Sequence, residues 1–217
     1  MKYSAVIFDM DGLMFDSEPI WLASWEPAFA AHGLELKPGL AASCMGSARD
    51  ATVKIVTRCY DEKEAARQAV LDHFDLAEQE MLAHGAPAKP GLFELLGWLA
   101  EQGIPLAVAS SSASSLVEAC LGLAGVRELF SVTATGDEGL PSKPNPALFL
   151  AAAERLGVAP SEVLVLEDSV NGIRAAAAGG FDVIAVPDMV EPDDETRALC
   201  VARLDSLLDV LEHLKSC

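Results

Sequence analysis

Apolar and polar positions fall into two patterns that alternate along the chain. Short, nearly continuous apolar runs occupy residues 5–8 (AVIF), 105–109 (PLAVA), 162–166 (EVLVL) and 182–186 (DVIAV), with a weaker run at 131–135 (SVTAT). Each is followed by polar or turn residues, the pattern of strands buried on both faces of a parallel sheet. Between them, apolar positions recur at helical spacing over 92–102, 114–123, 146–156, 170–178 and 206–214. Gly103 and Gly157 stand where a helix can end on a left-handed residue. Asn145 followed by Pro146 supplies an N-cap with proline at the first helical position. The alternation predicts an α/β fold, a three-layer Rossmann-like parallel sheet core with right-handed crossovers.

One stretch breaks the alternation. Residues 17–86 contain no convincing strand, only helical patterns at 19–31, 48–60 and 62–82. This predicts an α-helical cap domain, residues 17–86, inserted behind the first strand of a discontinuous core made of 1–16 and 87–217. The boundaries fall at Phe15-Asp16-Ser17 and between Gly85 and Gly91, where glycine and proline cluster.

Composition narrows the picture. A chain of 217 residues can bury one sizeable core and a smaller appended unit. About half of it (51%) is hydrophobic, as in a globular protein. With 33 acidic against 15 basic residues the net charge is −18, which argues against a nucleic-acid partner. It also means that a site for an anionic substrate must carry its own local positive charge. No apolar run approaches the length of a membrane span, and the apolar stretch of MKYSAVIFDMDG is too short for a signal segment. Five scattered cysteines without CxxC spacing read as reduced thiols of a cytoplasmic protein. The four histidines lack ligand spacing and read as structural or surface residues. No exposed heptad is evident, so a monomer is expected.

In open parallel sheets, ligands bind at the carboxyl ends of the strands. Asp9-Met10-Asp11-Gly12 follows the first run, Ser110-Ser111-Ser112 the second and Glu167-Asp168-Ser169 the fourth; Lys143-Pro144 lies in the loop after the weak run. Four acids converging on one rim would repel one another without a counter-ion. A hard divalent cation with oxygen ligands resolves this, and Mg²⁺ suits a few carboxylates plus water and phosphate. No GxxxxGK[ST] loop, no GxGxxG after a strand and no GxSxG elbow is present.

Asp9-Met10-Asp11-Gly12, then Ser110, then Lys143-Pro144, then Glu167-Asp168, resembles the four ordered motifs of the haloacid dehalogenase superfamily. The stretches FDMDGLMFDSE, SKPNP and LEDSVNGIRAAAAGG are similar to its β-phosphoglucomutase-like group, and the helical insertion resembles that group's type-1 cap. The resemblance implies that Asp9 attacks phosphorus and forms an aspartyl-phosphate. Asp11 would act as general acid and then base. Mg²⁺ would be held by Asp9, the Asp11 backbone carbonyl and Asp168, with Glu167 as a direct or indirect ligand. Ser110 and Lys143 would bind the phosphoryl oxygens, helped by backbone N–H groups near Gly12 and Ser111. In the cap, the resemblance implies that Glu18 touches the leaving group and Arg49 a second anionic group.

Asp11 favours phosphate-ester chemistry, since dehalogenating relatives lack an acid there. In mutases of the group a histidine stands two residues beyond the hinge glutamate; here that position is Ile20. The expected activity is therefore hydrolysis of small phosphorylated metabolites, sugar or polyol phosphates. A β-phosphoglucomutase-type mutase and a non-catalytic phosphate- or partner-binding module are the alternatives.

Overall fold

The computed structural model describes residues 2–44 and 49–216. Its elements run β1 (Ala5–Phe8), α1 (Glu18–Ala31), α2 (Leu40–Cys44), α3 (Arg49–Val56), α4 (Lys63–His84), α5 (Leu92–Glu101), β2 (Leu106–Ser110), α6 (Ser114–Leu123) and β3 (Val132–Thr135). Then come α7 (Ala147–Leu156), β4 (Val163–Glu167), α8 (Val170–Ala178), β5 (Asp182–Ala185), α9 (Asp194–Arg197), β6 (Ala202–Arg203) and α10 (Leu207–Ser216).

The six strands form one parallel sheet in the order β3-β2-β1-β4-β5-β6. β1 lies between β2 and β4, with Phe8 opposite Val108 on one side and Leu166 on the other. Successive residues of a strand face opposite ways. Ala5 and Ile7 join a cluster with Phe149 and Ala152 of α7, Ile173 of α8 and Val165 of β4. Phe8 meets Phe130 edge-on, ring centroids 5.8 Å apart. Residues of β1, β2 and β4 are all buried, which is why these segments read as unbroken apolar runs. β2 and β4 each start one residue later than their sequence pattern indicates and run on through Ser110 and Glu167.

By compactness the chain divides into Met1–Asp16 with Pro87–Cys217, and Ser17–Ala86. In the first unit, the departing and returning segments pair with each other. Phe15 and Ala88 form an antiparallel bridge, the Asp16 N–H donates to the Pro87 carbonyl at 2.8 Å, and the Lys89 N–H donates to the Met14 carbonyl at 2.9 Å.

Among its described residues the second unit consists of helices and the turns that join them, with no strand, and α1 and α3 pack on α4. Its core contains Trp25, Phe29, Val56, Tyr60 and Val70. The helix expected over 48–60 is shorter: α3 ends at Val56, and residues 57–59 close it with turn hydrogen bonds. The Ser24 hydroxyl donates its one proton to the Trp21 carbonyl at 2.8 Å. The 2.6 Å contact between Ser24 Oγ and His73 Nδ1 is therefore donated by the ring. Burial, with the charge of Arg49, lowers the His73 pKa to about 4, so the ring is neutral. It stacks on Trp25 at 4.1 Å, and Trp21 meets Phe74 at 5.4 Å. Both tryptophans belong to this aromatic cluster.

Candidate active site

Asp9 follows β1 at the carboxyl edge of the sheet, where its backbone N–H donates to the Leu166 carbonyl of β4 at 3.0 Å. Lys143 Nζ reaches Asp9 Oδ1 at 2.5 Å and Glu167 Oε1 at 2.6 Å, and sits 4.6 Å over the Phe149 ring. Glu167 is fully buried; its other oxygen accepts from the Ser169 N–H at 2.7 Å and the Ser169 hydroxyl at 3.0 Å. Asp9, Glu167 and Asp168 each place one oxygen within 4.8 Å of the others. Asp11 Oδ2 accepts from the Ser112 hydroxyl at 2.8 Å, and the Ser110 hydroxyl points at it from 3.4 Å. Asp11 Oδ1 is buried without a hydrogen-bond partner among the described residues.

The charge balance is poor. Burial pushes the Asp9 carboxyl up to about 8; Glu167 and Asp11 push the same way and Lys143 opposes. Asp168 is held well above the usual carboxylate range by burial and by its neighbours Glu167 and Asp9. Lys143 is buried, which disfavours its charge, yet Asp9 and Glu167 hold it above the usual lysine range. One ammonium therefore faces more carboxylates than it can neutralise. Hard oxygen donors with excess negative charge and an orphaned buried oxygen fit a divalent cation of the Mg²⁺ type.

Two glycines make room for this arrangement. Gly12 has φ +81°, and a β-carbon there would lie 2.5 Å from Asp168 Oδ2. A β-carbon on Gly172, in the first turn of α8, would lie 1.7 Å from Glu167 Oε1. The Gly12 N–H donates to the Phe15 carbonyl at 2.9 Å, so it is engaged within its own loop.

The model of the haloacid dehalogenase-like hydrolases matches residues 3–180. The chain belongs to that family. Hexitol phosphatase B of Escherichia coli is 30% identical over 207 residues, covering 95% of this chain and 93% of that protein. Fructose-1-phosphate phosphatase YqaB of the same organism is 31% identical over 191 residues, 85% of this chain and 97% of the relative. A crystal structure of a CbbY variant from Rhodobacter sphaeroides with xylulose-(1,5)bisphosphate superposes with a TM-score of 0.79 at 27% identity, covering 94% and 95% of the two chains.

In this haloacid dehalogenase-like hydrolase, Asp9, Asp11, Ser110, Lys143, Glu167 and Asp168 stand together at one edge of the sheet. Ser111 is exposed beside them. Within the helical unit, Glu18 is the first residue of α1. Arg49 opens α3 and is bonded to Glu78 Oε1 at 2.7 Å and Asp75 Oδ1 at 3.3 Å, with its guanidinium 4.9 Å over Phe74. These ion pairs are partly exposed, on the surface of the helical unit. Met10 and Met14 are fully buried. Met45, with Gly46, Ser47 and Ala48, lies outside the described residues. Four described cysteines are free thiols, and no helix of the described residues is long and apolar enough to cross a membrane.

Two residues beside the site escape a reading of the sequence, Gly172 and Asp188, while Ser112 is legible only as a member of the serine cluster after the second run. Asp188 lies just beyond β5, and its Oδ1 accepts from Lys89 Nζ at 2.6 Å. The signal that could have found it is its position: it stands past the carboxyl end of the run at 182–186, as Asp9 and Asp168 stand past the ends of theirs.

Proposed function

We propose that this hydrolase is a Mg²⁺-dependent phosphatase of small phosphorylated metabolites, sugar or polyol phosphates, working through an aspartyl-phosphate on Asp9. The observation that carries the reading is the buried Lys143 ammonium against the Asp9 carboxylate at the end of the central strand. A carboxylate nucleophile thus has a fixed cation beside it to receive phosphoryl oxygens. Asp9 forms the bond to phosphorus as the bond to the ester oxygen breaks. Asp11, held by Ser112 with its second oxygen free of hydrogen bonds among the described residues, gives a proton to the leaving alkoxide. In the second half, water attacks the acyl phosphate, its proton passes to Asp11, and inorganic phosphate leaves with Asp9 restored. Asp9, Asp168 and the Asp11 carbonyl would hold the cation; Glu167 has both oxygens engaged and serves to fix Lys143. When bound, the cation screens Asp9 from the anionic phosphoryl group and draws down the proton affinity of the carboxylates.

The names of the two Escherichia coli relatives support sugar and polyol phosphates as the substrate class. Ile20 supports transfer to water over transfer to a second hydroxyl. The test is hydrolysis of p-nitrophenyl phosphate with and without Mg²⁺, followed by kcat/KM across hexose, polyol and nucleotide phosphates. Asp9→Asn is expected to lower turnover by about 10³-fold or more. Unchanged turnover in that variant, or β-glucose 1-phosphate isomerised faster than any monoester is cleaved, overturns the reading.

A further inference from the structure

We propose that Asp188, fixed by Lys89, is a positioning residue for the cation-binding end of this site; the inference rests on the Mg²⁺-dependent reading above. Lys89 Nζ lies 2.6 Å from Asp188 Oδ1 and 3.7 Å from Asp16 Oδ1. The Asp188 side chain is 12% exposed and that of Lys89 23% exposed, unlike an ordinary surface ion pair. Holding two charges this far from water is unfavourable unless other groups offset the cost.

Only half of Asp188 is satisfied. Its Oδ2 is buried and has no hydrogen-bond partner among the described residues. That oxygen is turned toward Gly12, where a β-carbon would lie 3.4 Å from it and 2.5 Å from Asp168 Oδ2. The two carboxylates therefore flank one point on the loop that carries Asp9 and Asp11. The backbone N–H of Lys89 is bonded to the Met14 carbonyl, so the lysine is itself tied to the segment just past this loop. Glu167 cannot take the same part, because both of its oxygens are engaged. An unpaired acceptor beside Asp168 has a direct use. Mg²⁺ retains several of its waters, and each water has protons to donate. Asp188 Oδ2 would accept a hydrogen bond from such a water, and Lys89 holds the carboxylate in its orientation. Such outer carboxylates raise cation affinity without touching the reacting atoms.

The test is Mg²⁺ binding by titration calorimetry on the full chain without substrate, with melting curves in the presence and absence of Mg²⁺. Asp188→Ala and Lys89→Met are expected to weaken Mg²⁺ binding by about 10-fold or more, and Lys89→Arg to restore most of it. The Mg²⁺-induced rise in Tm shrinks in the first two variants, whereas a purely structural role lowers Tm equally with and without the cation. Should Asp188→Ala not fold, the two lysine variants carry the measurement. Variants that bind Mg²⁺ as tightly as the parent overturn this inference alone. A parent chain that binds no Mg²⁺ overturns the cation reading and this inference together.

Discussion

In the helical unit, the buried Ser24 hydroxyl and the His73 ring satisfy each other and the Trp21 carbonyl. At the carboxyl edge of the sheet, the buried oxygens Asp11 Oδ1 and Asp188 Oδ2 have no donor among the described residues. The third such atom is Ser17 Oγ, where the chain passes from one unit to the other. A buried polar group without a partner costs about 1–3 kcal/mol, so a chain with a complete internal network and an incomplete one is unequal for a reason. The complete network is scaffolding. The incomplete one fits the proposed cation site, and it is also where Asp9 and Asp168 hold protons above their usual range.

The comparison can be broken most sharply at Gly172. An added methyl would overlap the Glu167 carboxylate and so displace the residue that fixes Lys143. Gly172→Ala is expected to destabilise by about 1–3 kcal/mol from overpacking and to cut p-nitrophenyl phosphate turnover by about 10-fold or more. Chemical denaturation and initial rates measure both. If the variant instead gains the roughly 1 kcal/mol that alanine brings to a helix and keeps its rate, Glu167 has more freedom than its contacts indicate. Ser24→Ala should give the opposite division of effects. It leaves the His73 Nδ1–H unpaired in an aromatic core, at a cost of about 1–3 kcal/mol in denaturant melts, while turnover of a small aryl phosphate stays at the parent level. A loss of turnover with unchanged stability would move Ser24 into the functional machinery.

The gentlest probe is pH. The folded His73 pKa of about 4 lies below its ordinary value of 6.5. Between those values the unfolded chain takes up a proton that the folded ring refuses. The stability linked to this residue is complete above pH 6.5 and is lost as pH falls toward 4, by about 2 kcal/mol at pH 5. His73→Gln should flatten that part of the stability–pH curve relative to the parent; parallel curves would mean that the ring is accessible to protons in the folded state.

Much of the sheet is legible in the sequence because β1, β2, β4 and most of β5 are buried on both faces, which leaves little room for polar residues. β6 is two partly buried residues, and α2 and α9 have five and four residues, too short for any periodicity to register. Asp9, Asp11, Ser110, Lys143, Glu167 and Asp168 can be singled out because strand ends converge in any open parallel sheet. Gly172 cannot, and Ser112 only as one of three serines at a strand end, since their contacts with Glu167 and Asp11 arise from the packing of α8 and β2 against β4 and β1. Arg49 shows the same limit from the other side. The family resemblance implies a contact with an anionic group, and the sequence does not show that Asp75 and Glu78, one helical turn apart on α4, pair with Arg49 through a tertiary contact that spacing does not encode.

The bridge between Phe15 and Ala88 has a consequence for how this chain can be rebuilt. The backbone leaves and re-enters the sheet unit at hydrogen-bonded neighbours, so the ends of the insertion are already held together. Whatever is spliced between residues 16 and 87 need not close a gap, and loop-closure entropy rises only slowly with the length inserted. The junction is thus a ready cassette site: a foreign helical unit, or a short turn in place of the native one, can be grafted there with the strand ends and their carboxylates left in register.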